Sequence, residues 1–142
     1  MAEIWTGSKR QKEALRAMFG GRCAYCGQMM DRMHADHVRP VIRITTDPWG
    51  NRLPASECRM ARGERNTVDN MMPACGPCNI SKGGHTLEGW RDLLARSAEI
   101  VAREKSIFRA GVRFGVISVT EKPVVFYFEE VARRTGQGGG DE

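Results

Sequence analysis

Apolar residues recur at helical spacing between positions 87 and 108: Leu87, Trp90, Leu94, Val101 and Phe108 form one face, with Leu93, Ile100 and Ile107 beside them. The pattern predicts one long helix capped by Thr86, with its stripe packed into a core. A shorter stripe of Leu15, Met18 and Phe19 predicts a helix over 8–19, with Ser8 as cap, Gln11 in the capping-box position and Gly20-Gly21 as the stop. Residues 32–38 read as extended up to Arg39-Pro40, because the residue before proline disfavours helix. Pro77 suits the first position of a short helix that carries Asn79 and Lys82 on one face and ends at Gly83-Gly84. Residues 112–119 and 123–128, joined through Thr120-Glu121-Lys122-Pro123, predict a hairpin. Residues 43–66 show the least regularity. They contain the turn Thr46-Asp47-Pro48-Trp49-Gly50-Asn51 and read as either a functional loop or a small hairpin. The glycine-rich, polar tail 136–142 is expected to be disordered, which leaves one α+β domain over 1–135.

Composition adds a basic character. The chain has 142 residues, 22 Lys+Arg against 17 Asp+Glu, and a net charge of +5. Much of the excess is central arginine: Arg32, Arg39, Arg43, Arg52, Arg59, Arg62 and Arg65. Guanidinium forks match phosphate oxygens, so a polyanion is the expected partner, against the alternative of a merely soluble basic face. No run approaches about 18 apolar residues, and the first residues lack a basic segment followed by an apolar one. The expectation is therefore no membrane contact and a reducing, cytoplasmic location, where cysteines ligate metals more readily than they form disulfides.

Two Cys-x-x-Cys knuckles, Cys23/Cys26 and Cys75/Cys78, can supply the four thiolates of a closed structural zinc site. A rubredoxin-like iron site or redox-active pairs are the alternatives. The lack of a thioredoxin-type βαβ pattern weighs against redox pairs. Cys58 has no partner knuckle and reads as a bystander. Between and beside the knuckles lie Asp36-His37, Asn70 and Asn79. A neutral imidazole can take a proton from water at physiological pH, and oxygen ligands such as Asp36 and Asn79 suit magnesium or manganese. On a strand Asp36 and His37 point to opposite faces, so a shared site needs the strand to end or twist there.

As an ordered set, Cys23-Ala-Tyr-Cys26-Gly27, Asp36-His37-Val-Arg-Pro40, Asp69-Asn70-Met-Met-Pro73 and Cys75-Gly-Pro-Cys78-Asn79-Ile-Ser-Lys82 resemble the HNH endonuclease family, in its zinc-knuckle subgroup. The resemblance covers about residues 20–90. It implies a ββα-metal core stabilised by the four-cysteine zinc site; the flanking helices and C-terminal β-hairpin are read from the residue pattern alone. His37 would be the general base. Asp36 and Asn79 would hold a catalytic Mg2+ or Mn2+. Asn70 would tie down the loop and orient the histidine. The third motif residue is asparagine where the family's name has histidine, a variant that members also show. The loop before Asn70 is longer than the glycine turn expected there, and residues 91–142 match no family motif.

The implied function is DNA phosphodiester hydrolysis leaving 5′-phosphate and 3′-hydroxyl ends. Arg39, Arg59, Arg62, Arg65 and Lys82 would grip phosphates. His34 and His85 are further site candidates: His34 shares the strand face of Asp36, and His85 just precedes a helix. Small members of the family often occur in phage genomes, so phage packaging proteins and a bacterial host's cytoplasm are implied by resemblance. The rivals are a catalytically inactive zinc-stabilised DNA-binding module, which has no need of the Asp-His-Asn-Asn set, and a zinc-ribbon protein-interaction domain, for which the arginines have no purpose.

Overall fold

The computed structural model describes residues 2–136. The predicted disordered tail lies outside the described residues from position 137 onward. The fold is mixed α+β, with two small antiparallel sheets and six helices among the described residues.

Helix α1 spans Lys9–Ala17, and the Ser8 hydroxyl accepts from the Gln11 amide as predicted. The Gln11 side chain does not close the capping box. Its Oε1 accepts from the Thr6 and Gly7 amides, and its Nε2 donates to the Ile4 carbonyl, so it pins the N-terminal segment to the helix. Strand β1 (His34–His37) pairs with β4 (Met71–Ala74), in the register Asp36 opposite Met72 and His37 opposite Met71. β4 runs into α2 (Gly76–Lys82), whose first residue is Gly76, with Pro77 second. The irregular segment proves to be a hairpin: β2 (Ile42–Ile44) pairs with β3 (Arg59–Ala61).

The core gathers on the first knuckle. Cys23, Tyr25, Met30, Ala74, Trp90 and Phe126 form one buried cluster. The Trp90 ring stacks on Phe126 at 5.1 Å, and Tyr25 meets Trp90 edge-on at 5.2 Å. Each such pair is worth about 0.5–1.5 kcal/mol beyond its buried area. The Trp90 indole donates to Ser81 Oγ, which ties α3 (Leu87–Ala95) to α2.

The C-terminal half departs from expectation twice. The predicted helix 87–108 is broken into α3, α4 (Ser97–Glu104) and α5 (Ser106–Arg113), with breaks at Arg96 and at the extended Lys105. A straight helix would carry its stripe past the end of the core. The breaks redirect the chain at each joint instead, and α5 packs beside α4, where Arg109 donates to the Ala102 carbonyl. The predicted hairpin is absent: residues 114–126 have no regular structure, and α6 covers Tyr127–Arg134. The amides of Tyr127 and Phe128 donate to the Tyr25 and Ala24 carbonyls, and Glu129 Oε1 accepts from the Phe126 amide. Those partners satisfy the free N–H groups of a helix start, so the segment begins a helix at the knuckle instead of seeking a strand.

Candidate functional site

Two turns bring the knuckle sulfurs together. Gly27, at φ +78°, takes the left-handed conformation that closes the first turn, and Cys75 caps α2 with its own sulfur by accepting from the Cys78 amide. The Cys23, Cys26, Cys75 and Cys78 sulfurs all lie within 4.8 Å of one another, and Cys26 Sγ is 3.8 Å from Cys75 Sγ. A tetrahedral zinc with bonds of about 2.3 Å sets sulfurs about 3.8 Å apart, so the donor set and its spacing fit zinc. The thiols already share charge unevenly. The hydrogen bond from Cys78 pulls Cys23 down to about 4, while Cys78 is pushed far up by the same contact and by burial. Burial also raises Cys26. Four thiolates cannot coexist here without a cation. Cys58 is exposed on the hairpin, away from this cluster.

The first knuckle also reaches the carboxylate. Tyr25, between the two cysteines, donates its hydroxyl to Asp36 Oδ2 at 2.5 Å. Burial, and then the Asp36 charge, hold the phenol well above its ordinary pKa, so it stays a donor. Lys82 Nζ sits 3.1 Å from the same oxygen and donates to the His37 carbonyl at 2.9 Å. Lys82 is 0% exposed and Asp36 6%. Lys82 therefore cannot grip a DNA phosphate, which corrects the expectation from sequence: its ammonium completes the shell of a buried carboxylate. Both contacts fall on Oδ2, and no buried side-chain oxygen lacks a partner among the described residues. Asp36 Oδ1 takes part in neither contact, and Asp36 lines the neighbouring cavity.

His37 ends β1, and its ring bonds a residue outside the Tyr25-Asp36-Lys82 cluster. Its Nε2 is 2.8 Å from Asn66 Oδ1. Asn66 Nδ2 donates to the Trp5 carbonyl, which settles which end of the amide faces the ring. Nε2 is therefore the donor in this bond, which leaves Nδ1 as the ring nitrogen outside it. Asn70 is bound wholly to backbone. Its Nδ2 donates to the Arg39 and Arg65 carbonyls and its Oδ1 accepts from the Arg39 amide, so it ties the loop after β1 to the segment before β4. It does not touch the His37 ring; the ring's partner is Asn66.

Asp36, His37 and Asn79 line one cavity of about 440 Å³, together with Arg43, Pro40, Val41 and the Gly83-Gly84 turn. A larger cleft of about 800 Å³, between the α3–α4 junction and residues 119–125, holds no histidine or cysteine. Chemistry, and not size, distinguishes the first. The other predicted residues are dispersed. His34 packs against Gly76 beside the second knuckle, and His85 is exposed after α2; neither lines the cavity. Arg39 and Arg59 are exposed; Arg62 is exposed near Glu64, 3.8 Å away; Arg65 donates to the Pro40 carbonyl. Sequence reasoning missed Tyr25 and Asn66 as partners of the Asp36-His37 pair. It also missed the placement of Arg43. Only the position of Tyr25 inside a knuckle was a usable signal.

In comparisons with known proteins, no family model, no curated protein and no solved structure matches the chain. Among the described residues no helix is long and apolar enough to cross a membrane.

Proposed function

We propose that the chain is a metal-dependent DNA endonuclease of the HNH type, with β1, β4 and α2 as its ββα-metal unit. The observation that carries the reading is the shared cavity. Asp36 and His37 from β1 and Asn79 from α2 line one open space, with an arginine on its wall. His37 is the general base. With Nε2–H held by Asn66, Nδ1 is the nitrogen that would take the proton of an attacking water. Asp36 and Asn79 would hold Mg2+ or Mn2+ through their side-chain oxygens. When bound, such an ion neutralises charge on the scissile phosphate and its leaving oxygen. Tyr25 and Lys82 position the carboxylate, and Lys82 offsets part of its charge, so the site is a weak one that the substrate's phosphate completes. Arg43 lies where that phosphate enters, and Arg39 and Arg59 offer exposed guanidiniums for the flanking backbone.

One observation favours the rival, a zinc-stabilised DNA-binding module without catalysis. Asp36 is already paired by Tyr25 and Lys82, and its burial needs no ion. Supercoiled plasmid incubated with and without Mg2+ or Mn2+ separates the two. The endonuclease reading expects nicked or linear product from wild type only with the ion. It also expects at least about a hundredfold loss in His37→Ala, with zinc content and melting unchanged. Undiminished cutting by His37→Ala overturns the base assignment, and no cutting by wild type under any ion favours the binding module.

A further inference from the structure

The hairpin from Ile42 to Ala61 is an arm that leaves the cavity wall and ends in a bare indole. Arg43, on β2, lines the cavity. From there to Trp49 the strand rise of about 3.3 Å per residue carries the tip up to about 20 Å outward. Trp49 is 83% exposed. The exposure is imposed by a rigid turn. The Asp47 carboxylate accepts from the Trp49 amide at 2.9 Å and the Asn51 amide at 2.8 Å, and Asp47 Oδ2 accepts from Asn51 Nδ2. Gly50, at φ +90°, reverses the chain, and a bridge between Thr46 and Arg52 closes the loop. A turn held this tightly presents its tryptophan in one place.

The arm that carries that indole is basic. Residues 42–65 carry five arginines, Arg43, Arg52, Arg59, Arg62 and Arg65, against Asp47, Glu57 and Glu64. Among the described residues Arg43, Arg52 and Arg59 make no ion pair, and the one pair within the segment is the loose Arg62–Glu64 contact at 3.8 Å. Exposed guanidiniums of Arg43, Arg52 and Arg59 along an arm that ends in an exposed aromatic face match a nucleic-acid strand: the former take phosphates and the latter takes a base. An apolar protein partner would leave the guanidiniums without counter-charges. A paired duplex, in turn, keeps its base faces stacked on one another.

We infer that Trp49 stacks on an unpaired base of the DNA whose backbone lies along this arm, so that the protein prefers DNA with single-stranded or unstacked bases a few nucleotides from the cavity. The inference rests on the nuclease reading for the identity of the polymer, but not on catalysis.

The test uses the full-length His37→Ala protein with no added divalent ion, so that nothing is cut. The probes are an oligothymidylate of about twelve nucleotides, a duplex of the same length, and heparin as a polyanion without bases. Tryptophan emission and the anisotropy of labelled oligonucleotide are read together. The oligothymidylate is expected to quench emission as it saturates the protein, and heparin is not. Adding Trp49→Ala is expected to abolish the quench and weaken oligothymidylate binding about tenfold, while duplex binding changes little; Trp49→Phe, which keeps a ring, stays within about threefold. Circular dichroism confirms that each variant is folded. Saturating oligothymidylate binding without an emission change overturns the inference, as does full-affinity binding by Trp49→Ala. So does a quench by anionic phospholipid vesicles with none by the oligothymidylate. Failure of every form to bind any oligonucleotide overturns the nuclease reading itself, and this inference with it.

Discussion

Lys82 and Phe114 invert the usual rule for their residue types. The charged side chain is wholly buried, and the large apolar one is 80% exposed. Lys82 lies in the region built on the two knuckles, where a buried polar group finds its partner: Asp36 has Tyr25 and Lys82, and Lys82 has the His37 carbonyl. Phe114 lies in residues 97–119, where Ile107 and Val116 are also largely exposed. Burial in this chain therefore follows the supply of partners and not the hydrophobicity of the side chain alone. The knuckle region is closed by chemistry. The C-terminal helices touch it mainly through α3 and α6.

Four variants test this contrast, from the largest effect to the smallest. Cys75→Ser removes a thiolate while leaving a hydroxyl that can still cap α2. Structural zinc is worth about 10–16 kcal/mol in small sites, as much as a whole domain's stability, so loss of metal and of cooperative melting are expected together. A variant that melts as wild type without zinc contradicts the cage. Lys82→Met leaves Asp36 buried without its cation, and urea unfolding is expected to show a loss of about 3–5 kcal/mol. Adding Asp36→Asn should recover part of it, and no recovery means the pair is not what Lys82 contributes.

Glu129→Gln probes the joint between the two regions. Glu129 accepts two bonds from Arg91, whose guanidinium also lies 4.6 Å from the Phe126 ring centre. The Arg91 bonds hold the Glu129 carboxyl below its usual 4.5. A depressed folded pKa gives stability that is present above the unfolded value and lost as pH falls through the folded one. The variant should therefore cost about 1–2 kcal/mol at neutral pH, with the gap to wild type narrowing below about pH 4.5. A gap independent of pH refutes this account. Phe114→Ser, in the exposed region, should change stability by less than about 0.5 kcal/mol. A loss above about 1 kcal/mol would mean that something covers that face.

The two regions also differ in how far their residues revealed them. Cys23, Cys26, Cys75 and Cys78 were legible because a tetrahedral metal dictates both residue type and spacing. Ser8 and the turn at 46–51 were legible because caps and turns are local. The long helix predicted over 87–108 failed at Arg96 and Lys105 because periodicity describes a face but not where the core beneath it ends. Residues 123–128 carry strand-forming side chains, yet β-propensity supplies no neighbouring edge. The carbonyls of Ala24 and Tyr25 took the amides instead. The Asp36-His37 pair was visible in sequence, but Lys82 and Asn66 were not visible as its partners, because hydrogen bonds across such separations leave no trace in local pattern.

The aromatic cluster has a consequence for how the protein is made. Phe126 completes a cluster begun by Tyr25, so the first knuckle is synthesised about 5–20 seconds before its last packing partner, at common elongation rates. During that interval its thiols are open to oxidation or to competing metals. Ribosome-arrested chains ending before Phe126 should therefore remain reactive toward alkylating reagents, whereas full-length chains released with zinc present should resist them.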